Sequence, residues 1–95
     1  MALKDDDQFV AVNSEEYVLL LEGEGIITNM SDFSKNLKFR LDTEKPDKSA
    51  VSRVLLGERK NKLSFENTNA DTKIYGISES DKYTVQVLVT RDVEA

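Results

Sequence analysis

The chain has no cysteine and no histidine among its 95 residues. Without thiols it forms no disulfide, no thiolate zinc site and no cysteine nucleophile. Secreted domains of this size often carry disulfides, so their absence points to a reducing compartment. Without imidazole the usual general base at neutral pH is missing, together with the commonest metal-binding side chain. Neither a Ser-His-Asp nor a Cys-His arrangement can be assembled. Carboxylates, lysine and tyrosine are the remaining catalytic groups, and the expectation is a protein that is not an enzyme and needs no metal or cofactor. Long apolar runs are missing too. The longest, "YVLLL" at 17–21, is far too short to cross a bilayer. "MALKDDDQ" holds no apolar stretch of signal-peptide length and turns acidic within five residues. A soluble, cytoplasmic chain is expected.

The length is that of one small domain, residues 1–95, with no room for a second core. Its charged fraction of 33% suits a small body with much surface per residue. The apolar 39% falls into periodic runs rather than being diluted as in a disordered chain. The acidic segment 1–7 is expected to be solvated and mobile.

Period two governs almost the whole sequence. "NLKFRLD" (36–42) sets Leu37, Phe39 and Leu41 on one face and Lys38, Arg40 and Asp42 on the other. "KYTVQVLVT" (82–90) does the same with Tyr83, Val85, Val87 and Val89, and "KLSFE" turns Leu63 and Phe65 inward. Half-buried strands of an antiparallel sheet read this way. "QFVAV" (8–12), "EYVLLLE" (16–22), "GIIT" (25–28) and "TKIYGI" (72–77) are further strands between turn residues. Tyr17 to Leu21 is apolar on both faces, as a central strand covered on both sides would be. "DKSAVSRVLLGERKNK" reads two ways. Asp47 caps and Gly57 ends a helix in which Val51, Val54 and Leu55 have helical spacing. Alternatively, a strand within 48–56 pairs with 62–66 across the "ERKN" turn, and the strand is preferred.

Seven or eight short strands about ten residues apart define an all-β antiparallel sandwich or barrel. The succession "KLSFENTNADTKIYGI" and "YTVQVLVT" resembles the later strands of immunoglobulin-like modules, where a strand ending in an Asn-rich turn precedes a strand and a final alternating one. The resemblance covers the last third of the chain and implies an immunoglobulin-like β-sandwich architecture. It carries no function with it.

Asn67, Asn69 and Asp71 match the first three ligand positions of a calcium loop. Lys73 then stands in the glycine-turn region, and Ser78 where a bidentate Glu is required. One carboxylate among three ligands leaves a turn between strands, because Asn and Asp hydrogen-bond their own backbone. "EGEG" (22–25) has the glycines of a phosphate loop, but Glu22 and Glu24 repel phosphate and no Lys-Ser/Thr follows. It reads as a tight bend. The carboxylates at 5–7 and at 15–16 have neither burial nor partners to set their acidities apart.

Charge is the most informative feature. Residues 1–34 carry −7, residues 35–62 carry +5 and residues 63–95 carry −3. Lys35, Lys38, Arg40, Arg59, Lys60 and Lys62 would make one basic patch if the fold brings them together. Such a patch pairs with acidic strands of its own molecule, recognises an acidic partner or identical subunit, or captures a small anion. Extended nucleic acid is disfavoured by the net charge of −5 and the few aromatics. The expected function is a non-catalytic protein-interaction module that binds another protein or itself as a homo-oligomer. The strand Tyr17, Val18, Leu19, Leu20 and Leu21 is its candidate apolar association surface, and Lys38 and Arg40 would guard an edge or dock a partner. The alternative is a protein that binds a nucleotide or other phosphorylated ligand through the basic patch.

Overall fold

The computed structural model describes residues 3–31, 35–55, 57, 61–65 and 71–94, and in them period-two alternation becomes eight strands with no helix. These are β1 (Leu3–Val12), β2 (Val18–Glu22), β3 (Gly25–Asn29), β4 (Leu37–Asp42), β5 (Arg53–Leu55), β6 (Lys62–Phe65), β7 (Lys73–Ser78) and β8 (Val85–Glu94). They form two four-stranded sheets, in the orders β1-β8-β3-β6 and β2-β7-β4-β5, with every pair antiparallel. The sheets face each other across one apolar layer, as a sandwich. Val12, Ile27, Phe65, Val85, Val87 and Val89 come from the first sheet, and Leu20, Leu21, Leu37, Phe39 and Ile74 from the second. Phe39 and Phe65 meet edge to face across that layer, with ring centroids 6.3 Å apart.

The pairs β1·β8, β2·β7, β3·β6 and β4·β5 are nested, as if one long hairpin turning after β4 had been rolled up. This is the strand order of a jelly roll. An immunoglobulin-like order sets the first strand beside the second and the last strand beside the one before it. Here β1 lies beside β8, and β7 and β8 belong to different sheets. The eight-strand sandwich is therefore observed and the immunoglobulin-like order is not. Alternation decides which side chains face inward but does not decide which edge a strand joins.

Three local expectations change for the same reason. Val18–Glu22 is an outer strand, not a central one. Its register against β7 slips at Leu20, with Leu19 opposite Tyr75 and Leu21 opposite Ile74. A bulge of this kind turns two successive side chains to one side, and Leu20 and Leu21 are both buried. The strand covered on both faces is β7. Ile74 enters the main core, while Tyr75 and Ile77 pack with Tyr17 and Ala50 on the other side. Of the described residues in 48–56, Arg53–Leu55 are strand. They pair with β4, while β6 pairs with β3 in the other sheet. Asp5–Asp7, read as part of a mobile segment, lie within β1, which pairs with β8 from Leu3 opposite Glu94 to Val12 opposite Val85.

The "EGEG" bend carries the chain from one sheet to the other. Gly23 has φ of 79° and donates its N–H to the Thr72 carbonyl at 2.9 Å. At Gly25 a Cβ would lie 2.8 Å from the Thr90 carbonyl oxygen of β8. Asn29, at the end of β3, is fully buried. Its side-chain amide donates to the Lys35 carbonyl at 2.9 Å and the Leu55 carbonyl at 3.1 Å, and its Oδ1 accepts from the Ser31 N–H at 3.0 Å. One side chain thus ties β3 of one sheet to β5 of the other.

Gly25→Ala is expected to lower stability by about 1–3 kcal/mol, because the Thr90 carbonyl must yield as well as the Leu21 side chain. Asn29→Ala removes the three hydrogen bonds of a fully buried side chain and should cost about 1–3 kcal/mol. Urea unfolding followed by circular dichroism reads both, with the slope of the transition showing whether two-state behaviour survives.

Candidate functional site

Lys38 and Arg40 stand on the outer face of β4, which lies between β7 and β5 and so guards no edge. Arg40 is committed internally. Its Nη1 donates to the Val51 carbonyl at 2.8 Å and its Nε lies 3.2 Å from Asp42 Oδ2. Lys62 projects from the outer face of β6, opposite Thr28, on the other sheet. Lys38 and Lys62 therefore occupy opposite outer surfaces of the sandwich. Lys35 precedes β4, and its carbonyl accepts from Asn29. Arg59 and Lys60 lie outside the described residues, as do Asn67 and Asn69 of the calcium-like turn. Asp71 is exposed in a turn before β7. Of the described members of the expected basic patch, Lys38 and Arg40 share one outer surface and Lys62 lies on the other.

Arg40 instead fastens the connection 43–52 across the outer face of its sheet. Tyr17 Oη donates to the Ala50 carbonyl at 3.2 Å, and Lys45 Nζ lies 2.6 Å from Glu16 Oε2. Within this strap Asp47 Oδ1 accepts from both the N–H and the hydroxyl of Ser49, each at 3.0 Å. Those bonds hold the Asp47 carboxyl below its ordinary acidity value of 3.8. The Arg40 guanidinium, followed by the Thr43 N–H, does the same for Asp42.

Beside the strap, Ser14, Lys38, Lys48, Glu79, Ser80 and Asp81 line an open groove of about 370 Å³. It adjoins a hollow lined by Asn13, Glu15, Lys48, Lys82 and Tyr83. Lysines and carboxylates alternate along this path, so it offers polar contacts without concentrating charge of one sign. Of the expected basic patch only Lys38 takes part, joined by Glu15 of the carboxylate pair 15–16 and by Ser78. The others come from three separate loops, and no spacing in the sequence marks them. Among the described residues no group of three or more Asp and Glu side chains is placed to hold a metal ion.

Of the expected association strand, Tyr17, Leu20 and Leu21 are buried and Val18 is half-buried, which leaves Leu19 at 40% exposure. The other large apolar side chains exposed among the described residues are Phe9 at 69%, Val51 at 83% and Val54 at 46%. Phe9 and Leu19 lie on the outermost strands β1 and β2. Val54 lies on outermost β5, and Val51 in the segment entering it. The exposed apolar surface is thus at the sheet edges. Phe9 carried a legible signal, since in "QFVAV" it is out of phase with half-buried Val10 and buried Val12. Searches of protein-family models, curated proteins and solved structures find no match to this chain. Fold and surface chemistry are then the basis for function.

Because the acidities of Asp42 and Asp47 are strengthened in the fold, their contribution to stability is complete above about pH 3.8. It is lost as pH falls through their lower native values. Carboxyl titration by NMR should place both midpoints below 3.8, and a midpoint at or above that value would contradict the Ser49 and Arg40 contacts.

Proposed function

We propose that this chain is a non-catalytic interaction module of the cytoplasm that binds protein, further copies of itself included, through the edges of its sandwich. The observation that carries this reading is the placement of Phe9, Leu19, Val51 and Val54, all on outermost strands or at the entrance to one. An outermost strand presents unpaired backbone donors and acceptors, and a partner strand can satisfy them. Apolar side chains at the same edge add buried area to that pairing.

The second reading, capture of a small anion, is favoured by Lys38, Lys48 and Lys82 along the groove and its adjoining hollow. Glu15, Glu79 and Asp81 line the same path and oppose it. The internal commitment of Arg40 removes one of the two bidentate anion ligands from the expected set.

The two readings separate in solution. Light scattering across a dilution series should give a mass above that of one chain, falling on dilution. Phe9→Lys should weaken association by on the order of tenfold or more while leaving the melting temperature nearly unchanged, since Phe9 is mostly exposed. A nucleoside triphosphate should leave the melting temperature unmoved. A rise with ligand concentration, following RT ln(1 + [L]/Kd), in a protein that stays monomeric would replace the interaction reading with the anion one.

A further inference from the structure

We infer that the copies associate head to tail, with the β1/β2 flank of one molecule against the β5/β6 flank of the next; this rests on the self-association reading above. The two flanks are opposite sides of the sandwich. Asp6 and Gln8 of β1 line one hollow with Leu19–Glu22 of β2, so β1 and β2 share a side. Phe65 of β6 packs on Phe39 of β4, and the Leu55 carbonyl of β5 accepts from Asn29 of β3, so outermost β6 and β5 share the other side.

The flanks carry opposite charge. The described side chains of β1 and β2 include Asp6, Asp7 and Glu22 and no cation, while those of β5 and β6 include Arg53 and Lys62 and no anion. Arg91 of neighbouring β8 pairs with Asp6 at 3.2 Å and Lys73 of neighbouring β7 stands opposite Glu22, which offsets two charges and leaves the first flank acidic through Asp7. Each flank also holds exposed apolar side chains, Phe9 and Leu19 on the acidic one and Val51 and Val54 on the basic one.

Geometry agrees with charge. Each sheet has four antiparallel strands, so its two outermost strands run in opposite directions. A second copy placed alongside without rotation sets its β1 antiparallel to β6 and its β2 antiparallel to β5, and both sheets continue across the junction. On the outer faces the row Phe9, Leu88, Thr28 and Lys62 then continues into Phe9 of the next copy, with Asp7 two residues away as a diagonal neighbour of Lys62, and Leu19 lies two residues from the Val54 row. A two-fold dimer through either flank would set like charges against each other, which disfavours it. The head-to-tail contact has no such conflict. It leaves one free flank at each end, so copies add until the row closes into a ring or grows as a filament.

Charge reversal tests the pairing directly. Asp7→Lys/Glu22→Lys makes both flanks basic, and Arg53→Glu/Lys62→Glu makes both acidic. Each variant alone should associate at least about tenfold more weakly than the wild type, and an equimolar mixture should recover association at low salt. Because Arg53 sits over the Phe39 ring at 5.9 Å, Lys62→Glu alone, which cancels the basic charge of its flank, replaces the double variant if that one loses its fold. A wild-type closed dimer whose mass ignores both reversals would overturn the head-to-tail arrangement and leave self-association standing. A wild type that is monomeric at every concentration would overturn both. Restored association in the mixture, with each variant alone monomeric, would establish the contact.

Discussion

The pairing of β1 with β8 is the constraint on which the sandwich depends. Ten residues near one end of the chain meet ten near the other, and β8 also carries β3 on its far side. Val85, Val87 and Val89 of β8 are the middle of the apolar layer. Until β8 arrives, β3 lacks one of its neighbours and β1 has nothing to pair with. The remaining pairs are nested inside this one, so the fold is built from contacts distant in sequence. Closing such loops costs entropy before the contacts repay it, which places the chain among slowly folding topologies.

A second constraint holds the sheets in register at one end of the sandwich, where polar groups are buried. Asn29 bridges the Lys35 and Leu55 carbonyls. Nearby, Asn36 donates its N–H to Tyr83 Oη at 3.0 Å and accepts from the Gly57 N–H at 3.0 Å. The Ser78 hydroxyl is shared between the Ser80 and Tyr83 carbonyls. Apolar surfaces slide over one another with little directional preference, whereas these bonds are satisfied in one alignment only. Every buried side-chain polar atom described has a partner, as native packing requires.

Strand existence and inward face were readable because a half-exposed strand must alternate. Leu37 and Phe39, and Val85, Val87 and Val89, face the core as their phase requires. The bulge at Leu20 was not readable, since a local slip looks in sequence like a run apolar on both faces. Strand order was not readable either. The segments 53–55 and 62–65 are close in sequence and pair in different sheets, because each joins a strand that came earlier. For the surface, the segmental charges marked a basic stretch between two acidic ones along the chain. They could not show that Lys38 and Lys62 would face opposite ways, because that depends on which sheet each strand joins. Asn29 gave no warning of its role, since a buried bridging asparagine and a turn asparagine look alike in one sequence.

The bond of β1 to β8 also fixes where the chain enters and leaves the fold. Leu3 lies opposite Glu94, so anything preceding the one and anything following the other emerges from the same corner. A short linker between those points would close the backbone into a circle without crossing the sandwich. The break could then be moved to the exposed connection after β4, giving a permuted chain with the same nested pairs. A passenger fused at either terminus would likewise be carried at one place rather than two.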